Sequence, residues 1–158
     1  MNTEITIRPL QSVDVDSAFS AWAAAVEDGG SFPRVPPARL ADFEDVWIRG
    51  ASSTQVAFLA EELAGVYFVA PNFTGPCAHI AKGGYVVPAH LRRQGIGRQL
   101  VEHSLLEARR LGFDSMMFNL VMETNPSRKL YEQIGFVAVG RVPRAIGVED
   151  AYIYWRSL

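Results

Sequence analysis

The sequence predicts an α+β domain in which about four helices pack on a mixed, mostly antiparallel sheet of about seven strands. Two observations carry this reading. Apolar residues alternate or form strand-length runs in some segments and recur with a helical period in others. Glycine or proline stands at most points where one pattern gives way to the other. The 158 residues fit one domain, 1–158, with a single core better than two.

Taken in order, Ile5 and Ile7 alternate with Thr6 and Arg8 until Pro9 stops the first strand. Asp14 or Asp16 is placed to cap a helix through Phe19, Trp22 and Val26, ended by Gly29-Gly30-Ser31. Residues 32–37, Phe-Pro-Arg-Val-Pro-Pro, form a loop whose prolines limit its freedom. A second helix reads 38–49 and stops at Gly50. Runs 56–60 and 64–70, joined through Glu61-Glu62, make a hairpin without the favoured Asn-Gly turn. Residues 79–87 form a further strand up to Pro88, with a bulge or close backbone approach expected at Gly83-Gly84. From Gly95 the period becomes helical: Gly97, Leu100, Val101, Leu105, Ala108 and Leu111 share one stripe, and Gly112 follows as a cap. A buried strand covers 116–121. Asn125-Pro126 starts a helix that closes on Gly135, and strands at 136–142 and 151–155 finish the chain.

Composition narrows the function. Apolar residues make up 49% and charged residues 20%, a balance typical of soluble globular proteins. No apolar run nears the roughly 20 residues needed to cross a bilayer. Met1-Asn2-Thr3-Glu4 lacks the basic start and apolar core of a secretion signal, so a cytoplasmic protein is expected. Cys77 is the single cysteine, which rules out an internal disulfide and reads as a small buried or half-buried thiol rather than a nucleophile. His79, His90 and His103 match no metal-ligand spacing, so no metal is expected. A net charge of −2 argues against nucleic-acid binding, although arginines concentrate between residues 92 and 128.

Those arginines frame the strongest chemical feature, a strand, loop and helix at residues 85–98: Tyr-Val-Val-Pro-Ala-His-Leu-Arg-Arg-Gln-Gly-Ile-Gly-Arg. A helix N-terminus presents unpaired N–H groups and the positive end of its dipole, and so attracts phosphate. Gly95 and Gly97 let backbone approach an anion without Cβ clashes, and Arg92, Arg93 and Arg98 add charge nearby. The segment is neither a Walker loop, which continues Gly-Lys-Ser/Thr, nor the three-glycine dinucleotide fingerprint.

A second segment follows after one strand: Asn125-Pro126-Ser127-Arg128-Lys129-Leu130-Tyr131-Glu132-Gln133-Ile134-Gly135-Phe136. Together the two resemble the GNAT superfamily of N-acetyltransferases, whose acyl-CoA motif Gln/Arg-x-x-Gly-x-Gly/Ala is matched by Arg92 to Gly97. The order of elements agrees over most of the chain, with only the first fifty or so residues generic. The resemblance implies a sheet with a central splay and acetyl-CoA as co-substrate. The N–H groups of Arg93, Gln94, Gly95, Ile96, Gly97 and Arg98 would hold the CoA pyrophosphate. Val86 and Val87 would pair with the pantetheine arm, as an added strand does. Asn125 and Ser127 would contact the same arm, and Tyr131 would be the general acid that protonates the departing thiolate.

This chemistry needs a neutral amine, a polarised carbonyl and a proton for sulfur. A phenol near ~10 can protonate a thiolate whose acid titrates near ~8.5. A strand N–H from Val86 or Val87 would stabilise the oxyanion. Direct transfer in a ternary complex is expected, without an acyl-enzyme. The base stays open, because strand 79–85 has no carboxylate: His79, Glu27 or Asp28 through water, or no base at all if the free amine enters.

Residues 71–80 together with Phe118-Asn119-Leu120-Val121 resemble a narrower subgroup that includes fungal proline-analogue (azetidine-2-carboxylate) acetyltransferases, which act on small cyclic imino acids. Lys82 stands where that subgroup commonly has asparagine, and either pairs with a substrate carboxylate or points to solvent. Asn119 either hydrogen-bonds substrate or is a satisfied polar residue beside the splay. The expected partner is a small-molecule amine, with no nucleic acid and no membrane. The resemblance also implies a possible homodimer through the final strands. Rival readings are a protein or peptide N-acetyltransferase, which needs an open groove, and an acyl-CoA-binding module without catalysis.

Overall fold

The alternation at the start of the chain becomes β1 (Thr6–Pro9), antiparallel to β2 (Ser53–Leu59) in a register running from Thr6↔Phe58 to Pro9↔Gln55. The computed structural model describes residues 4–29, 32 and 35–158; the expected Gly30-Ser31 stop, Pro33-Arg34 and the first three residues lie outside them. The described residues cluster into two compact units interleaved in sequence. One comprises residues up to Ala70 with Gly84–Ser104, the other Pro71–Gly83 with Leu105–Leu158.

In the first unit, α1 (Val15–Glu27) buries Ala18, Trp22, Ala25 and Val26 at helical spacing. Neither Asp14 nor Asp16 caps it by a side-chain hydrogen bond, contrary to expectation. Asp14 instead accepts the Gln11 N–H at 2.8 Å and takes the Arg8 guanidinium on both oxygens. That fork is bidentate and pairs full charges, whereas a cap bond would set one carboxylate oxygen against a neutral N–H. The second helix, α2, starts two residues later than expected, at Leu40–Phe43, and continues as π-helical turns over Glu44–Arg49. Ala38 N–H turns back to Glu27 Oε1 at 3.3 Å. The widened turns still bring Phe43 and Trp47 to one side, their rings stacked with centroids 5.5 Å apart. Both are buried with Trp22, Val56, Val66 and Phe68.

β2 runs into β3 (Glu62–Pro71) through a turn in which Ala60 takes a left-handed φ of 54°. Side-chain choice did not advertise that turn, since alanine rarely adopts such a φ. β4 (Ile80–Val86) contributes to both units. Its parallel pairing with β5 (Ser115–Met122) covers Ile80↔Ser115 and Ala81↔Met116 only, and β5 runs on paired with β7. The expected splay begins there. At Gly84 the finding is close approach: an added Cβ would stand 2.5 Å from Phe68 Cε1.

α3 (Ile96–Arg110) ends before Gly112, whose φ of 93° suits the cap role. α4 (Arg128–Ile134) closes on Gly135 at φ 102°. The last hairpin, β6 (Val137–Ile146) and β7 (Glu149–Ser157), is longer than expected. Asp150 explains part of the extension, because it binds the Arg141 guanidinium and accepts the Arg144 N–H at 2.8 Å. The sheet order is β1-β2-β3-β4-β5-β7-β6, so Pro143 sits in an edge strand that tolerates its missing N–H. No helix among the described residues is long and apolar enough to cross a membrane.

Candidate active site

In the first unit, β4 ends at the buried Val86 and the half-buried Val87, and Pro88 leads into a 3-10 turn at Ala89–Leu91. Leu91 and Ile96 are both buried and pin the two ends of the segment between them. The four residues between, Arg92, Arg93, Gln94 and Gly95, are all exposed. Arg93 and Gly95 both take left-handed φ, 62° and 81°. Alternating handedness turns successive N–H groups toward one point, a nest that suits an anion. Helical bonding starts when Gln99 N–H reaches Gly95 O at 3.2 Å, so the N–H groups of Ile96 and Gly97 precede it. A Cβ on Gly95 would meet nothing within 4 Å, so the space above the turn is open.

The arginines divide their work. Arg92 Nε donates to Val87 O at 3.1 Å, tying the turn to the strand end and engaging that carbonyl. Arg98 lies 3.3 Å from Glu102 Oε1, one helical turn on. Arg93 is exposed on the left-handed residue itself. These residues fit a phosphate-bearing ligand.

In the second unit, Asn125 does not start α4 as a direct cap. Its Oδ1 accepts the Ser127 N–H at 2.8 Å and its carbonyl accepts the Arg128 N–H at 3.2 Å, so it caps a turn that leads into the helix at Arg128. Pro126 sits inside that turn. Tyr131 N–H reaches back to Ser127 O at 3.0 Å, which joins Asn125, Ser127 and Tyr131 in one continuous piece of backbone bonding. The Tyr131 ring lies 4.7 Å from Phe118, 5.9 Å from Phe136 and 6.1 Å from Tyr154, centroid to centroid. Burial among these rings pushes its phenol up to about 12, against a smaller opposite effect of the Ser127 side chain.

Asn119 lies at a bulge, where the β5–β7 register shifts between Phe118 and Val121. Its amide forms a reciprocal pair with Asn72, each Nδ2 donating to the other's Oδ1 at 2.7 Å. Asn72 lies in the 71–80 stretch that carries the narrower resemblance, but no role for it was legible in the sequence. Of the base candidates, His79 Nδ1 pairs with exposed Asp114 at 2.8 Å, which holds that carboxyl below its usual range, and Glu27 is engaged by Ala38 N–H. Asp28 lies at the C-cap of α1, and Lys82 is half-buried on β4. Cys77, expected at least half-buried, is exposed on the 3-10 turn Gly75–Cys77.

Sequence reasoning missed one further group. The buried Tyr154 hydroxyl accepts from Arg128 Nε at 3.1 Å and donates to Glu132 Oε1 at 2.7 Å. Burial raises this phenol while the Arg128 hydrogen bond opposes the rise.

A mixed sheet with a central splay, and a glycine-arginine turn between a strand end and a helix, describe a transferase class that binds phosphate-bearing acyl carriers. The model of the acetyltransferase (GNAT) family matches residues 18–136, and the chain belongs to that family. It is 41% identical over 99 residues to N-acetyltransferase aca1 of Schizosaccharomyces pombe, covering 58% of this chain and 47% of that protein. It is 33% identical over 86 residues to Protein SPT10 of Saccharomyces cerevisiae, covering 54% of this chain and 13% of that protein. The chain thus spans less than half the length of either relative. Among solved structures, a GCN5-related N-acetyltransferase from Kribbella flavida superposes with a TM-score of 0.91 at 28% identity, covering 98% of both chains. The protein yncA from Salmonella typhimurium, whose structure was solved with acetyl-CoA, shares the fold with a TM-score of 0.83 at 21% identity, covering 98% of this chain and 94% of that one.

Proposed function

We propose that the protein is an acetyl-CoA-dependent N-acetyltransferase that acetylates the amine of a small molecule, an amino or cyclic imino acid, by direct transfer in a ternary complex. The observation that carries this reading is the open turn at Arg92–Arg98, with Arg93 and Gly95 both left-handed ahead of α3. Family membership supports it, as do the name of the fission-yeast relative and the acetyl-CoA in the Salmonella structure.

In this reading the N–H groups from Arg93 to Arg98 and the exposed Arg93 side chain hold the pyrophosphate. Val86 and Val87 offer backbone to the pantetheine arm, and Asn125 and Ser127 touch the same arm. The amine nitrogen attacks the thioester carbonyl, a C–N bond forms and the C–S bond breaks. Tyr131 gives its proton to the leaving sulfur and regains one from the amine by way of solvent. A phenol held at about 12 is fully protonated at neutral pH and so is always ready to donate. Asn119 and Lys82 are the groups proposed for acceptor recognition, Asn119 through the hydrogen-bonding capacity its pair with Asn72 leaves open and Lys82 through a substrate carboxylate.

Thiol release from acetyl-CoA over cyclic imino acids, amino acids, polyamines and short peptides tests the reading, with Tyr131→Phe run alongside. Turnover on one small amine class, lost by roughly 10²-fold in Tyr131→Phe, supports it. Turnover on peptides alone moves the substrate to proteins. Acetyl-CoA binding without turnover leaves a binding module, and stoichiometric acetylation of the enzyme by acetyl-CoA alone overturns direct transfer.

A further inference from the structure

α4 is two turns long, and its apolar face is short: Leu130, Tyr131 and Ile134 are only partly covered and none is completely buried, so helix propensity and apolar packing leave its roll weakly fixed. Polar bonds on a neighbouring face fix it further. Arg128 and Glu132 stand at i and i+4, on one face of the helix. Both bind the same atom, the hydroxyl of Tyr154 on β7, which accepts from Arg128 Nε at 3.1 Å and donates to Glu132 Oε1 at 2.7 Å. Tyr154 is completely buried, so this atom is a fixed point. Arg128 is held further by Glu123 O at 3.1 Å and by the Tyr152 ring, 4.1 Å below its guanidinium.

We propose that Tyr154 is a positioning residue for Tyr131: by holding Arg128 and Glu132 on one hydroxyl it fixes the roll of α4, and with it the direction of the Tyr131 phenol. The proposal rests on the reading of Tyr131 as the general acid. Tyr131 lies one residue before Glu132, so a roll about the helix axis that moves Glu132 swings the phenol through the same angle. The ring contacts with Phe118, Phe136 and Tyr154 limit where the Tyr131 ring sits but are weakly directional, so they tolerate sliding where the two hydrogen bonds on the Tyr154 hydroxyl do not. The hydroxyl has one proton and serves both partners at once. Phenylalanine keeps the packing and removes only the anchor.

The test is a double-mutant cycle read in kcat, with KM for acetyl-CoA and thermal unfolding measured beside it. Tyr154→Phe is expected to lower kcat about tenfold with KM for acetyl-CoA nearly unchanged, because a small misplacement of a reacting group costs rate more than binding. In a Tyr131→Phe background the same substitution is expected to change kcat little, since the proton it aligned is already gone. Glu132→Ala, at an exposed position that leaves the core intact, is expected to behave like Tyr154→Phe, and Glu132→Gln, which keeps an acceptor oxygen, to retain most activity. An equal loss in both backgrounds makes Tyr154 purely structural and overturns the proposal, as does full activity of Tyr154→Phe. If Tyr131→Phe itself is fully active, the general-acid reading falls first and takes the positioning role with it.

Discussion

Both carboxylate oxygens of Asp14 face the guanidinium of Arg8, Oδ2 at 2.6 Å from Nη1 and Oδ1 at 2.9 Å from Nη2. Asp14 is buried and Arg8 half-buried. The pair ties β1 to the turn that starts α1.

The Arg8 hydrogen bond holds the Asp14 carboxyl below its usual range, outweighing burial, which acts the other way. A folded value below the unfolded one, ~3.9, means the contribution is fully present above the unfolded value and disappears as pH falls through the folded one. Asp14→Asn is expected to lose about 1 kcal/mol at neutral pH, a modest figure because Arg8 is reached by solvent. Urea unfolding at a series of pH values checks it: the gap from wild type should close below about pH 4. A gap independent of pH would assign the loss to packing.

Gly84 is where β4 passes the Phe68 ring, which meets Trp47 at 4.8 Å. An alanine methyl needs space that the ring occupies, and the ring is buried against Trp47 in a close-packed core. Gly84→Ala is expected to cost about 1–3 kcal/mol, measured by denaturant unfolding. No loss would mean that Phe68 has somewhere to go.

Gly95 poses the opposite problem, a strained conformation with open space around it. Its φ of 81° costs an L-residue about 1–2 kcal/mol, and nothing nearby collides. The substituted turn relieves that strain by leaving the left-handed region, and its N–H groups then diverge. Gly95→Ala should therefore raise KM for acetyl-CoA about tenfold or more while kcat at saturation changes little. Steady-state kinetics at varied acetyl-CoA decide it. An unchanged KM would remove the turn from the binding site.

Local chemistry was legible in the sequence; distant registration was not. Gly112 and Gly135 end their helices as expected, since a left-handed cap is written in one residue. The stripe of Leu100, Val101, Leu105 and Ala108 is buried as its period required. The Arg92–Arg98 turn was found because its parts are adjacent in sequence. The Asn72–Asn119 pair joins residues 47 positions apart and depends on a bulge in β5 that no single residue announces. Tyr154 reads as an ordinary buried strand residue, and only the placement of α4 against β7 turns it into an anchor. Asp14 reads as a helix cap in the sequence, because Arg8 comes near it only after β1 and the turn have formed.

Tyr131 gives the last prediction its sign. Burial among Phe118, Phe136 and Tyr154 pushes its phenol up to about 12, so the proton needed by the leaving thiolate is present throughout the accessible range. A general acid must be protonated to act, and activity falls only as pH rises past its own pKa. The rate of wild type should therefore rise with pH as the acceptor amine loses its proton and show no descending limb up to about pH 10. Replacing Phe118 by alanine opens the ring cluster to water and lowers the phenol toward its ordinary value near ~10, so a descending limb should move into the measurable range. The pH profile of kcat for wild type and Phe118→Ala checks both statements. A wild-type rate that falls well below pH 10 assigns the donated proton to a group other than Tyr131.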